Sequence, residues 1–95
     1  MTVKYEPWGN NPDFDWDEHN AAKIWAHGIE IFEVEQCFEF GNERFVTPHP
    51  KAKSEPEKYG DRFEIRGATD GGRRLLIIVQ HVGRNMVRPI TAWEI

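Results

Sequence analysis

Hydrophobic and polar positions alternate with different periods along this chain, and the period changes near residue 41. In DEHNAAKIWAHG (17–28), Ala21, Ala22, Ile24 and Trp25 recur at helical spacing, with Ala21 and Trp25 on one face. Asp17 is placed to cap that helix, because its carboxylate can accept from a free amide of the first turn. Gly28 can take the left-handed conformation that ends one. IEIFEVEQCFEF (29–40) fits two periods. Ile29, Ile31, Phe38 and Phe40 suggest strand alternation, whereas Phe32, Val34, Cys37 and Phe38 form a helical stripe. Four glutamates suit a solvated helical face, so we read a helix from about Glu30 to Glu39, stopped by Gly41.

Beyond Gly41 the pattern is that of strands. ERFVT (43–47) reads as one, and RFEIRG (62–67) alternates, with Phe63 and Ile65 on one face and Arg62, Glu64 and Arg66 on the other. RRLLIIVQH (73–81) is a continuous apolar, β-branched run, the pattern of a central strand buried on both faces. MVRPITAW (86–93) is a last strand, and Pro89, having no amide to donate, must sit at an edge or a bulge. PHPKAKSEPEKYGD (48–61) holds three prolines and reads as a long mobile loop. Residues 1–12 read as an irregular arm, and FDW (14–16) as a short strand. The expectation is one α+β domain over residues 1–95: two N-terminal helices packed on an antiparallel sheet of about four strands.

Length and composition leave this picture standing. Ninety-five residues support one small core, and 39% hydrophobic with 29% charged residues is ordinary for a globular protein. No apolar run reaches membrane-spanning length and the N-terminus lacks an apolar signal region, so a cytoplasmic protein is expected. The lone Cys37 has no partner for an internal disulfide and suits a reducing compartment. The net charge of −4 hides an asymmetry. Residues 1–50 carry ten acids against three bases, and residues 51–95 carry nine bases against six acids. Six of those nine bases are arginines, whose planar fork of donors matches phosphate; the alternative is a solvated sheet surface.

Among chemical motifs, a phosphate-binding glycine loop, G-x-S-x-G and H-E-x-x-H are all missing. His19 and His27 stand two helical turns apart, too far to share a metal ion. Cys37 lies in an apolar stripe, where a cysteine serves as small core filler. What remains is histidine with arginines, and RNA cleavage without a metal needs little more. A base takes the ribose 2′-hydroxyl proton, an acid protonates the leaving 5′-oxygen, and cations stabilise the charge growing on phosphorus. His27 suits either proton transfer, and Gly28 leaves room beside it for a ligand. The other reading of His27 is a cation favoured by the C-terminal end of a helix dipole.

FDWDEHNAAKIWAHGIEIFEVEQ resembles the N-terminal signature of the BrnT family of bacterial toxins, in which an aromatic–acidic–Trp–Asp stretch precedes a helix ending in His-Gly. ATDGGRRLLIIVQH resembles that family's glycine–arginine turn and apolar strand, and VRPITAWEI its closing strand. The likeness runs from about Phe14 to Glu94. One departure is Gly67-Ala68-Thr69, where members often have Gly-Arg-Thr; Arg66 and Arg74 lie nearby. The resemblance implies a RelE-like fold and a ribonuclease that arrests growth. It also implies a cognate BrnA-like antitoxin as partner, with DNA reached only through the antitoxin complex. By position it assigns catalysis to His27, Arg73 and Arg88; Arg62, Arg66 and Arg74 match no family motif and are RNA-binding candidates by their nearness in sequence alone. Arg62, Arg66, Arg73 and Arg88 are expected to share one sheet face. No cofactor or metal is expected. The rival reading keeps the fold but makes the domain a module that only binds its antitoxin or RNA. Trp16, Trp25 and Trp93 are expected in the core, and Trp8 has no assigned role.

Overall fold

The computed structural model describes residues 6–39 and 41–95, so the first five residues of the expected arm and Phe40 lie outside it. In chain order the elements are β1 (Asp13–Phe14), α1 (Glu18–Trp25), α2 (Ile31–Gln36), β2 (Arg44–Pro48), α3 (Pro56–Tyr59), β3 (Arg62–Ala68), β4 (Arg74–Gly83) and β5 (Met86–Glu94). All five strands join one mixed sheet in the order β1-β5-β4-β3-β2. From β2 through β5 neighbours run antiparallel, but β1 lies parallel to β5, with Asp13 opposite Met86 and Phe14 opposite Val87. The fold is therefore α+β, with three helices and five strands among the described residues. The expected four-stranded antiparallel sheet lacked this parallel edge, which two residues are too short to announce by periodicity.

Helix α1 forms where its signals predict. Asp17 Oδ1 accepts from the Asn20 amide and Asn20 Oδ1 accepts from the Asp17 amide, both at 2.8 Å, so each satisfies a backbone donor that the first turn leaves open. Gly28 ends the run at φ +75°. Helix α2 is shorter than expected. Glu30 is its N-cap, and Glu33 Oε1 accepts from the Glu30 amide.

The two helices cover one face of the sheet. Ile24, Ile29, Val34, Cys37 and Phe38 from the helical layer meet Phe63, Ile65, Leu75, Ile77, Val79, Val87 and Ala92. The two layers approach closely at Gly67, where an added Cβ would stand 3.0 Å from Cys37 Cβ. Strand β4 is central, and Ile78 is buried on its second face too. Pro89 sits at a bulge: Val79 pairs with Pro89 but Ile78 with Thr91, so Ile90 is the extra residue.

Three regions add detail to the expected picture or depart from it. The described part of the arm is irregular, but Trp8 anchors it in the core. Trp8 is 2% exposed and packs edge-on against Phe38 and Phe63, with ring centroids 6.0 and 5.3 Å away, and Glu6 pairs with buried Arg44 at 2.8 Å. The segment expected as a mobile loop holds a helical turn, α3, started by Pro56 and tied at its base by Tyr59 stacked on His49. Two tryptophans expected in the core are exposed instead. Trp25 projects from α1 and Trp93 from β5, because Ile24 and Ala92 take the inward positions beside them. Trp16 is half-buried, stacked on Phe14, and donates from Nε1 to Glu35. Among the described residues no helix is long and apolar enough to cross a membrane.

Candidate active site

The C-terminal end of α1 brings together two of the three residues expected to act. His27 is exposed in the turn after the helix, its ring 6.3 Å from that of Trp93. Arg73, in the turn before β4, reaches back to the helical layer and donates from Nη1 to the Gly28 carbonyl at 3.0 Å. Its Nη2 lies 4.0 Å from where a Cβ on Gly28 would stand, so the open side of Gly28 faces a guanidinium. Gly28 thus serves twice: its positive φ turns the chain, and its missing side chain opens the corner.

Arg73 is held by acids. Glu33 of α2 accepts from Nη1 at 2.9 Å, and Glu94 of β5 lies 3.3 Å from Nε. The Glu33 hydrogen bond pushes the Arg73 pKa above its ordinary value, so the side chain is a fixed cation. With Nη1 and Nε engaged, Nη2 is the nitrogen presented to the corner.

Arg88 is elsewhere. It lies between core-facing Val87 and Pro89, opposite Gln80, and so leaves the strand on the face turned from the core. Its guanidinium pairs with Asp15 at 3.2 Å and with the N-cap residue Asp17. The eight-residue helix α1, about 12 Å long, separates that pairing from His27. The expectation of a single site made by His27, Arg73 and Arg88 is corrected accordingly: Arg88 fastens the N-terminal end of α1. Its pKa is raised chiefly by the hydrogen bond to Asp17.

The expected shared arginine face also splits. Arg62 and Arg66 on β3 and Arg74 on β4 alternate with buried Phe63, Ile65, Gly67 and Leu75, which sets them on the same side of the sheet as Arg88, opposite the helices. Arg62, Gln80 and Arg88 form one cross-strand row. Arg73 precedes the strand and turns to the other side. Arg66 pairs with Glu64 at 3.4 Å, and the Arg62 guanidinium lies 5.5 Å over the Tyr59 ring. Cys37 is fully buried, and burial pushes its thiol up to about 12, which removes it as a nucleophile near neutral pH.

Three residues that matter here were missed in the sequence. Glu33 and Trp93 frame the corner through contacts 40 and 66 positions away, which no local pattern carries. Asn20 was readable, since Asp-x-x-Asn allows reciprocal capping. Its Nδ2 also donates to Asp15 O and Pro89 O, at 3.1 and 2.9 Å, binding α1 to β5. The chain matches no protein-family model, no curated protein and no solved structure.

Proposed function

We propose that this protein is a metal-independent endoribonuclease, the cytoplasmic toxin of a type II toxin–antitoxin pair with a RelE-like fold. The observation that carries the reading is the corner at the end of α1: an exposed imidazole, an unobstructed glycine and a fixed guanidinium in one place. In this reading a scissile phosphate lies against Arg73 Nη2, which stabilises the charge that grows on its oxygens. The ribose 2′-oxygen attacks phosphorus, the P–O5′ bond breaks, and a cyclic 2′,3′-phosphate remains. His27 performs one of the two proton transfers and solvent the other. Trp93 offers a ring face for a neighbouring base. Arg62, Arg66 and Arg74 serve as contacts for RNA running over the opposite sheet face. The resemblance to BrnT toxins supplies the prior, including an antitoxin as partner and no cofactor.

A second reading is favoured by a different observation. Arg73 and Arg88 are both paired with carboxylates, as expected of a surface held together for binding rather than for catalysis. On that reading the domain binds RNA or an antitoxin and cuts nothing.

The test is incubation of the purified chain with a labelled RNA oligonucleotide in excess chelator, beside His27→Ala. Cyclic-phosphate ends from the parent alone support the ribonuclease. Intact RNA with a folded parent supports the binding module. Equal cutting by both proteins removes His27 from the chemistry.

A further inference from the structure

An open groove of about 580 Å³ runs between α1 and α2, floored by Ala21 and Ala22 and walled by Trp25, Ile31 and Phe32, with Glu30 at its side. These are large apolar side chains left in solvent: Trp25 is 63% and Phe32 53% exposed. The core does not need them, because Ile24, Ile29 and Val34 already fill the inward positions of the same segments. A concentrated apolar strip of this kind on a small domain marks a surface that is covered by something else. The charge around it says by what. Glu18 lies three and four residues before Ala21 and Ala22, on the same helical face. No lysine or arginine lines the groove among the described residues. A second copy of this chain is a poor occupant, since two such grooves face to face would bring Glu18 and Glu30 against the same acidic rim of the other copy, with no basic lining residue to meet them.

We propose that the groove binds a basic amphipathic helix of a partner protein, whose apolar stripe seats between Trp25 and Phe32 and whose lysines or arginines meet Glu18 and Glu30. This is helix-in-groove recognition, with apolar anchors giving affinity and flanking charge giving selectivity. Trp25 stands two residues before His27, and Glu30 two after Gly28, so a helix seated here reaches the corner described above. The proposal rests on the ribonuclease reading only in making the occupant an inhibitor.

The probes are two synthetic amphipathic helices with the same leucine stripe, one with lysines and one with glutamates on the polar face. Binding is read by calorimetry at low salt and by the indole N–H shifts of the chain, without RNA. The lysine peptide should bind at least about tenfold more tightly than the glutamate peptide. Phe32→Ala should weaken it about tenfold or more, and Trp25→Ala likewise. Val82→Ala, an exposed residue at the far end of β4, should leave binding unchanged. Both groove side chains are exposed, so circular dichroism should show each variant folded. Equal affinity for the two peptides, no loss on Phe32→Ala, or a dimer of the chain dissolved by that substitution would each overturn the proposal. A chain that binds the lysine peptide but leaves RNA intact sinks the ribonuclease reading and keeps the groove. One that cuts RNA but ignores the peptide does the reverse.

Discussion

The two ends of helix α1 are built from similar residue types and do opposite things. At the N-terminal end, Asp17 and Asn20 cap each other, Asn20 bridges to Asp15 and Pro89, and Arg88 closes on two aspartates. Each of these side chains faces a partner, and the end is fastened to the sheet edge. At the C-terminal end a histidine, a glycine and an arginine also meet, yet His27 points into solvent and Gly28 leaves space uncovered. Polar side chains at a helix end can thus be structural or available for chemistry, and their partners decide which.

The largest expected effect tests that division directly. His27→Ala should lower RNA cleavage by about 100-fold or more, equivalent to about 2.7 kcal/mol of transition-state stabilisation, with an unchanged melting temperature. Arg88→Ala should do the opposite, lowering the melting temperature while cleavage stays near the parent level. If Arg88→Ala instead abolishes cleavage in a folded protein, the two ends are one site and the comparison fails.

Next in size is Asn20→Ala, read by urea denaturation. It leaves the buried Pro89 carbonyl without its donor and the Asp17 amide without its acceptor, and should cost about 2 kcal/mol. A loss no larger than that of an average surface substitution would show that α1 is held by its apolar face alone.

The smallest effect is a pH dependence. The Asn20 amide first, and the Arg88 guanidinium second, hold the Asp17 carboxyl below its ordinary value of 3.8. A carboxylate with a depressed folded pKa contributes stability that is complete above its unfolded value and lost as pH falls through the folded one. Asp17→Asn should therefore lower stability near neutrality, match the parent at the acid end, and so flatten the acid side of the stability curve below about pH 4. An unaltered acid slope would remove Asp17 from the cap.

What could be read in the sequence follows the range of the interactions. Asp17 and Gly28 mark the limits of α1 because capping and left-handed turning are decided within four residues. Strand β3 was legible from alternation and β4 from its continuous apolar run, while Pro89 marked β5 for an edge or a bulge through its missing donor. Trp8 was not, since a segment rich in proline, glycine and asparagine shows no period and its burial comes from Phe38 and Phe63. The arginines were legible as candidates but not as a constellation. Sidedness follows from alternation inside a strand, whereas Arg73 lies just outside one. Its partner Glu33 is 40 residues away.

The pairing of β1 with β5 has a consequence for how the molecule is made. The first strand has no neighbour until β5, the last element of the order, has left the ribosome, and the donor that Asn20 offers to Pro89 O must wait as well. Contacts of such long sequence separation form late, after the local helices. Trp93 and Glu94, which frame the corner around His27, belong to that same last strand. A nascent chain therefore carries His27, Gly28, Glu33 and Arg73 before it carries the two β5 residues that complete their surroundings.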